Sequence, residues 1–186
     1  MQVSGWDAED GDIEEEKNPH KSPVTEILWA AENDELDTLR TLLQKDRTLV
    51  NVRDKDGYTP LHRACYSGNL KAIDILLEYG ADIAAQTDMG WQPLHSACKW
   101  NHAECALRLL QHGADVNAKS EGGQTPLHIA GTHSHCKEIL QVLLLHPDIQ
   151  PDVLNVSKES PRQIATRCCK FYPLFDLIEP CIYQIE

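Results

Sequence analysis

The tetrapeptide TPLH at Thr59–His62 decides the fold, because it returns as QPLH at Gln92–His95 and as TPLH at Thr125–His128. Both intervals, from 59 to 92 and from 92 to 125, are 33 residues long. A glycine turn precedes each copy and a pair of small residues follows it. Self-similarity at a fixed period of this length is typical of a repeat array, in which one supersecondary unit stacks on the next.

The residues around Thr59 predict a helix, a turn and a second helix in each repeat. The Thr59 hydroxyl can cap a helix whose first position is Pro60, where no N–H is needed. Gly68 permits the left-handed conformation that turns the chain, and Gly80 ends a second stretch whose apolar residues have helical spacing. We therefore expect helix pairs at 60–67 with 70–79, at 93–100 with 103–112 and at 126–132 with 137–145.

Weaker copies of the pattern flank the three clear repeats. We predict that they are capping units starting near Thr25 and Pro161, because each end repeat has one face without a neighbour. The fourth repeat carries one extra residue within Thr132–Cys136 and another before Pro161, so it should be the least regular. The predicted domain covers residues 23–186, with repeats at about 24–56, 57–89, 90–122 and 123–157 and a C-terminal cap at 158–186.

Residues 1–22 have a different composition, with seven acidic residues against two lysines. Such a segment cannot bury enough apolar surface to offset the entropy lost on ordering, so we predict a disordered acidic tail. The whole chain has a formal net charge of −12. This charge repels phosphate backbones and anionic lipids, so we expect no direct binding to nucleic acid or to membranes.

The sequence carries no apolar stretch approaching the roughly 20 residues that span a bilayer, and its start lacks the basic and apolar blocks of a secretory signal. We therefore expect an intracellular protein, in the cytoplasm, the nucleus or both. The seven cysteines include no CxxC pair. In that compartment they are interpreted as small core residues that stay reduced.

The T-P-L-H-x-A signature at 33-residue spacing resembles the ankyrin-repeat family, from about Thr25 to Glu179. This resemblance implies an all-α solenoid of four to five helix–turn–helix units with β-turn tips. It also implies that the turn tips and the outer sides of the first helices line a concave face that binds protein partners. In this family the histidine of the signature ties its turn together, and that structural role is expected here for His62, His95 and His128.

Fifteen residues fall on the concave face that the resemblance implies, and we predict that they bind a partner. The turns supply Lys55, Asp56, Tyr58, Asp88, Met89, Trp91, Glu121 and Gln124, and the first helices supply Arg63, Tyr66, Ser96, Lys99, Trp100, Thr132 and His133. Aromatic residues and arginine dominate binding energy at many interfaces. Because Arg63 and Lys99 make the predicted groove locally basic, an acidic or amphipathic peptide is the expected ligand.

The sequence supports metal binding and nucleophilic catalysis less well than it supports partner binding. Equivalent histidines in stacked helices lie roughly 8–10 Å apart, too far for His62, His95 and His128 to share one zinc ion. The cluster of His133, His135 and Cys136 leaves a metal site open as an alternative. Ser96 and Cys98 near His95 lack an oxyanion device and an orienting acid, and no glycine-rich phosphate loop is present. We expect no catalytic residue, metal or cofactor.

The sequence therefore predicts a non-enzymatic intracellular adaptor that is monomeric when free and binds a partner protein, whose identity the residues do not encode. The family resemblance suggests a regulatory role in gene expression. One alternative is a permanent structural subunit of a larger complex, in which the aromatic positions are buried. The other is a metal-binding protein that uses His133, His135 and Cys136.

Overall fold

The computed structural model describes residues 19–178, and this range consists of helices joined by turns and loops, without a β-strand. The α-helices of this range are α1 Pro23–Glu32, α2 Leu36–Lys45, α3 Pro60–Ser67, α4 Leu70–Glu78, α5 Pro93–Lys99, α6 Ala103–Gln111, α7 Pro126–Ala130, α8 Lys137–Leu144 and α9 Pro161–Cys168. Short 3-10 helices lie at Pro19–Lys21, Arg47–Asn51 and Tyr172–Ile178. The all-α repeat architecture predicted from the sequence is confirmed.

The two ends of the chain are described only in part. Residues 1–18 of the predicted acidic tail and residues 179–186 of the predicted cap lie outside the described residues. Pro19–Lys21, which the prediction also places in the tail, form a 3-10 turn beside α1. The His20 ring bonds the Glu26 carboxylate at 2.7 Å and lies 6.0 Å from the ring of Trp29, so contacts with α1 begin at this turn.

The helices stack in two rows, and the apolar residues between the rows form the core. Helices α1, α3, α5, α7 and α9 contact one another in order, as do α2, α4, α6 and α8. Each helix of the second row carries a leucine pair, at Leu42–Leu43, Leu76–Leu77, Leu109–Leu110 and Leu143–Leu144. Leu76 and Leu109 are both fully buried. Repeat-to-repeat packing of this kind makes nearest neighbours the main source of stability.

Each signature histidine joins its own turn to the turn of the next repeat. The His62 ring accepts the Thr59 backbone N–H at its Nδ1 atom, at 3.2 Å. Its Nε2 atom therefore carries the proton and donates to the Trp91 carbonyl at 2.9 Å. His95 reaches the Gln124 carbonyl at 3.1 Å and His128 reaches that of Glu159 at 3.0 Å. The structural role expected for these histidines thus extends between repeats.

The fourth repeat departs from its neighbours, as the sequence predicts. Helix α7 ends at Ala130, two residues before its predicted end, and the chain continues through turns to α8. Cys136 lies at the start of α8 and is disulfide-bonded to Cys169, which follows α9. The prediction that all cysteines stay reduced is wrong for this pair. Stacking of the cap on repeat 4 brings their Cα atoms to 6.8 Å, within the range that a disulfide spans.

Candidate protein-interaction surfaces

The turn tips of successive repeats are bonded to one another through their backbones. The Asp88 N–H donates to the Asp56 carbonyl at 3.0 Å, and the Glu121 N–H donates to the Met89 carbonyl at 3.1 Å. Because these bonds use only backbone groups, the side chains at the tips remain exposed; Met89 is 65% exposed. The tips therefore form a continuous line of projecting side chains.

A small cleft lies where the second and third repeats meet, between α3 and α5, and we call it the inner cleft. Its cavity has a volume of about 100 Å³. The residues that line it are Tyr58, Arg63, Tyr66, Trp91, Ser96, Lys99 and Trp100. All seven belong to the set that the sequence predicts for partner binding, so the fold brings nearly half of that set to one place.

The aromatic residues of the inner cleft differ in how firmly they are held. Trp100 follows the last residue of α5, is 44% exposed, and packs edge-on against Tyr66 with ring centroids 4.6 Å apart. Trp91 is half-buried and stacks beside His95, and burial raises the pKa of the Tyr58 phenol. Trp100 thus presents the most accessible aromatic surface of the cleft.

Arg63 does not give the cleft a free positive charge, which corrects the prediction of a groove made basic by Arg63 and Lys99. Its guanidinium lies 2.7 Å from the Asp54 carboxylate and 3.4 Å from that of Glu32. The guanidinium also lies 5.4 Å from the Tyr58 ring centroid, in position for a cation–π contact. Two carboxylates balance this arginine, which therefore holds the turn against α1 and α3.

Lys99 and Ser96 remain as the polar groups of the cleft that a ligand can use. Lys99 forms no ion pair within residues 19–178. The prediction places Ser96 on an accessible surface, but this residue is only 2% exposed, because α5 packs between its neighbours. Its Oγ atom is buried without a hydrogen-bond partner. A buried hydroxyl with no partner is costly unless a ligand or water reaches it.

The other predicted partner-binding residues lie along the tips or on repeat 4. The side chains of Lys55, Asp56, Asp88, Met89 and Glu121 are exposed at the tips. The Gln124 backbone carbonyl accepts a hydrogen bond from the His95 ring. The Thr132 hydroxyl donates to the Ile129 carbonyl at 2.7 Å. His133 is half-buried, and burial lowers the pKa of its ring. These residues extend the predicted surface beyond the inner cleft.

The His95 ring is already hydrogen-bonded at both nitrogens, and the buried thiols of Cys98 and Cys105 are protonated. Both ring nitrogens of His95 are engaged by backbone groups, and burial lowers the pKa of this ring. Burial raises the pKa of the Cys98 thiol beyond the ordinary range and that of Cys105 to about 11. A thiol is nucleophilic only as the thiolate, so neither cysteine is activated.

The alternative metal site on repeat 4 also lacks its thiolate. Cys136 is bonded to Cys169, while His135 is exposed and bonds Ser134. Among the residues that the structure describes, no cluster of three or more His, Cys, Asp or Glu side chains is arranged to hold a metal ion. Within that range the hypothesis of a site at His133, His135 and Cys136 therefore has no coordinating set.

A larger groove, which the sequence interpretation does not anticipate, lies between the second helices of repeats 3 and 4; we call it the outer groove. Its volume is about 550 Å³. The lining residues are Leu107, Leu110, Gln111, Glu138, Gln141, Val142, Leu145, His146 and Pro147. Leu107 and Leu145 are exposed at positions where other repeats have charged or polar side chains. A position-by-position comparison of the second helices could have found this signal.

No helix within residues 19–178 has the length and apolar character needed to cross a membrane.

Comparison with known proteins agrees with this architecture. A family model for ankyrin repeats, described as three copies, matches residues 11–87 and 84–155. Ankyrin repeat domain-containing protein 49 from Homo sapiens is 53% identical over 167 residues, covering 90% of this chain and 70% of the human protein. The Mus musculus protein of that name is 50% identical with the same coverage. The Drosophila melanogaster protein is 51% identical over 84 residues, covering 44% and 39% of the two chains. The chain belongs to the ankyrin-repeat family, whose arrays are protein–protein interaction modules and are generally non-catalytic.

Proposed function

We propose that this chain is a non-enzymatic adaptor that holds a segment of a partner protein in the inner cleft and along the turn tips. The observation that carries the proposal is the meeting of Trp100, Tyr66, Lys99 and the unpartnered Ser96 hydroxyl at one cavity. Tryptophan and tyrosine near the centre of an interface are characteristic of binding hot spots. The turn tips on either side supply the polar rim.

The polar groups of the cleft define the chemistry of the segment. Lys99 donates hydrogen bonds and carries a positive charge that no described carboxylate pairs with. The Ser96 hydroxyl can donate to an acceptor that enters the cavity. A cavity of about 100 Å³ admits one small side chain rather than a whole helix. We therefore propose an acidic side chain of the partner as the group that enters, beside an apolar residue that covers Trp100.

A matched pair of charge reversals tests this assignment. Lys99→Glu changes the cleft, whereas Lys71→Glu makes the same change at an exposed position of α4 outside it. Proteins captured from cell extract by the wild-type chain are identified, and a purified partner is then titrated against all three chains by calorimetry. Lys99→Glu should weaken binding at least tenfold, and Lys71→Glu should leave it within about twofold. Equal affinities of the two variants would contradict an acidic segment in the cleft.

The alternative of a permanent structural subunit makes a different prediction for the isolated chain. A subunit whose aromatic surface is always covered should aggregate or self-associate when purified alone. An adaptor that meets its partner reversibly should sediment as a monomer. Sedimentation velocity on the purified full chain distinguishes the two.

We propose the narrower role in the regulation of gene expression from the family resemblance alone, and a location in the cytoplasm, the nucleus or both stays a prediction from the sequence. Imaging of the tagged chain in cells tests the location. Transcript profiling of cells that carry the Lys99→Glu variant in place of the wild type tests the role.

A further inference from the structure

We propose that the outer groove is a second docking surface, which receives an amphipathic helix of a partner protein that carries a lysine or arginine beside its apolar stripe. The outer groove shares no lining residue with the inner cleft. It is built by the second helices of repeats 3 and 4, whereas the cleft is built by first helices and turns. The proposal therefore does not depend on what binds in the inner cleft.

Comparison of equivalent positions in the second helices provides the first support. Leu107 occupies in α6 the position of Arg40 in α2, two residues before the leucine pair. Leu145, at the end of α8, occupies the position of Glu78 in α4, directly after the leucine pair. Arg40 and Glu78 form an ion pair at 3.9 Å across the outer surface of repeats 1 and 2. Between repeats 3 and 4 the same two positions carry leucines that are 46% and 80% exposed.

The outer surface between repeats 2 and 3 is also polar, because an ion pair joins Arg108 to Asp74 there. The change to leucine is therefore confined to the junction of repeats 3 and 4. An isolated exposed leucine needs no explanation, but two that line one groove form an apolar patch of the kind that marks interaction sites.

Of the two extra residues of repeat 4, the one that precedes Pro161 provides the second support. The Gly80 carbonyl after α4 accepts from Asn51, and the Asp148 carbonyl after α8 accepts from Asn117, so Gly80 and Asp148 are equivalent. The chain advances three residues from Leu77 to Gly80 but four from Leu144 to Asp148. The inserted residue thus lies within 145–147, and all three residues of that segment line the outer groove. The inserted residue and the two leucines that replace polar residues of other repeats therefore all lie at the outer groove.

The dimensions of the groove fit a helix. The lining residues along α8 and its end run from Glu138 to Leu145, which at 1.5 Å per residue is a length of about 10 Å, or two helical turns. A volume of about 550 Å³ accommodates several apolar side chains. A partner helix with apolar residues at i, i+4 and i+7 presents a stripe of that length.

The charge of the groove selects a basic partner over a second copy of this chain. Glu138 is the only lining residue with a formal charge at neutral pH, and it has no ion pair within the described residues. A second copy would bring the same carboxylate and a chain charge of −12 to the contact. A lysine or arginine beside the apolar stripe instead gains an opposite charge at the end of the groove.

The test uses the full chain and two synthetic 18-residue helical peptides. One carries leucine at i, i+4 and i+7 with a flanking lysine, and the other has glutamate in place of that lysine. The double variant Leu107→Asp and Leu145→Glu restores the residues that repeat 2 carries at these positions, so it should fold like the wild type, which circular dichroism checks. Calorimetry should show the lysine peptide binding the double variant at least tenfold more weakly than the wild type. Trp100→Ala, in the inner cleft, should bind it like the wild type.

The two peptides also test the charge. The wild type should prefer the lysine peptide over the glutamate peptide severalfold, and Glu138→Gln should reduce that preference. Equal binding of the peptide to the wild type and the double variant, or no binding to either, overturns the proposal. So does a wild-type dimer that the double variant converts to a monomer in sedimentation, because a second copy would then be the occupant.

Discussion

At the scale of single residues, the signature histidines work only as neutral rings. His62 is fully buried, accepts at Nδ1 and donates at Nε2, so a second ring proton would break the bond from Thr59. Burial lowers the pKa of His62 from 6.5 to about 4, against opposing effects of the Trp91 carbonyl and Asp54 and a small further lowering by Arg53 and His95. Burial also lowers the pKa values of His95 and His128.

These shifts predict that acid destabilises the array. Between pH 6.5 and about 4 the unfolded chain binds a proton at His62 that the folded chain does not. The stability due to this ring is therefore complete above pH 6.5 and is lost as the pH falls towards 4, by about 3 kcal/mol. Urea unfolding at several pH values measures this loss. His62→Gln should be less stable at pH 7 but should lose less stability on acidification, whereas exposed His135→Gln should follow the wild type.

The second prediction at this scale is that Trp100 is an energetic centre of partner binding. Its indole is 44% exposed, at a cavity beside Lys99. Trp100→Ala should weaken binding by about 2 kcal/mol or more, roughly 30-fold in Kd. It should lower the free energy of unfolding by only about 1 kcal/mol, because the indole stabilises the fold mainly through its edge-on packing against Tyr66.

Leu154→Ala is the matched control for Trp100→Ala, since it removes an exposed apolar side chain that lines neither the inner cleft nor the outer groove. Calorimetry with the captured partner and urea unfolding are done on both variants. Normal partner binding by Trp100→Ala would contradict the assignment of Trp100 to the binding site. A loss of stability as large as that of a core substitution would contradict it as well.

The sequence predicts which residues meet at the inner cleft but not their charge state. The spacing of the repeats places Tyr58 near Trp91 and Tyr66 near Lys99, because positions 33 residues apart are equivalent and equivalent positions of stacked units are neighbours. It does not reveal that Arg63 is balanced by Glu32, which lies 31 residues earlier in another repeat. It also does not reveal that Ser96 is buried, since that depends on how closely α5 packs between α3 and α7. Tertiary contacts, rather than local pattern, decide both.

At the scale of the helices, two of the three leucines of α6 provide a comparison within one element. Leu109 is fully buried between repeats, whereas Leu107 is 46% exposed on the same helix. Leu109→Ala should cost about 2–5 kcal/mol, from reduced burial and the cavity that remains. Leu107→Ala should cost about 1 kcal/mol or less, because alanine favours the helix and the leucine is nearly half exposed. Urea unfolding of both variants measures the difference, and similar midpoints would contradict the core assignment.

The sequence predicts the presence and the starts of the helices better than it predicts where they end. Pro60, Pro93 and Pro126 mark helix starts that the structure reproduces, because proline at the first helical position loses no hydrogen bond. The predicted end of α7 lies too late, since no local residue signals where an inserted residue is absorbed. The exposure of Leu145 is likewise not evident from the periodicity of α8 alone, because this residue extends the leucine pair and hydrophobic residues in a helix are usually assigned to the core. Only comparison with the equivalent Glu78 and Gln111 of the other repeats indicates it.

At the scale of the whole molecule, the disulfide fastens the end of the array. Cys136 begins the second helix of repeat 4, and Cys169 follows the cap helix α9, so the bond joins the last full repeat to its cap across 33 residues. An end unit has one neighbour instead of two, which makes it the part of a repeat array most easily lost. The sequence could not predict the pairing, because no motif distinguishes Cys169 from the adjacent Cys168.

The expected effect of the disulfide is a stabilisation that depends on redox conditions. Closing a loop of this length stabilises the folded chain by about 3–4 kcal/mol, chiefly by restricting the unfolded chain. Cys169→Ser should therefore lower the thermal midpoint in oxidising buffer. Cys168→Ser is the matched control, because Cys168 is the neighbouring residue, exposed and free. In reducing buffer the thermal midpoint of the wild type should fall close to that of Cys169→Ser. The remaining difference should be the cost of burying the serine hydroxyl in the variant. Equal midpoints of the wild type and both variants in oxidising buffer, or ready alkylation of Cys136 in the unreduced chain, would show that the cap is held by packing alone.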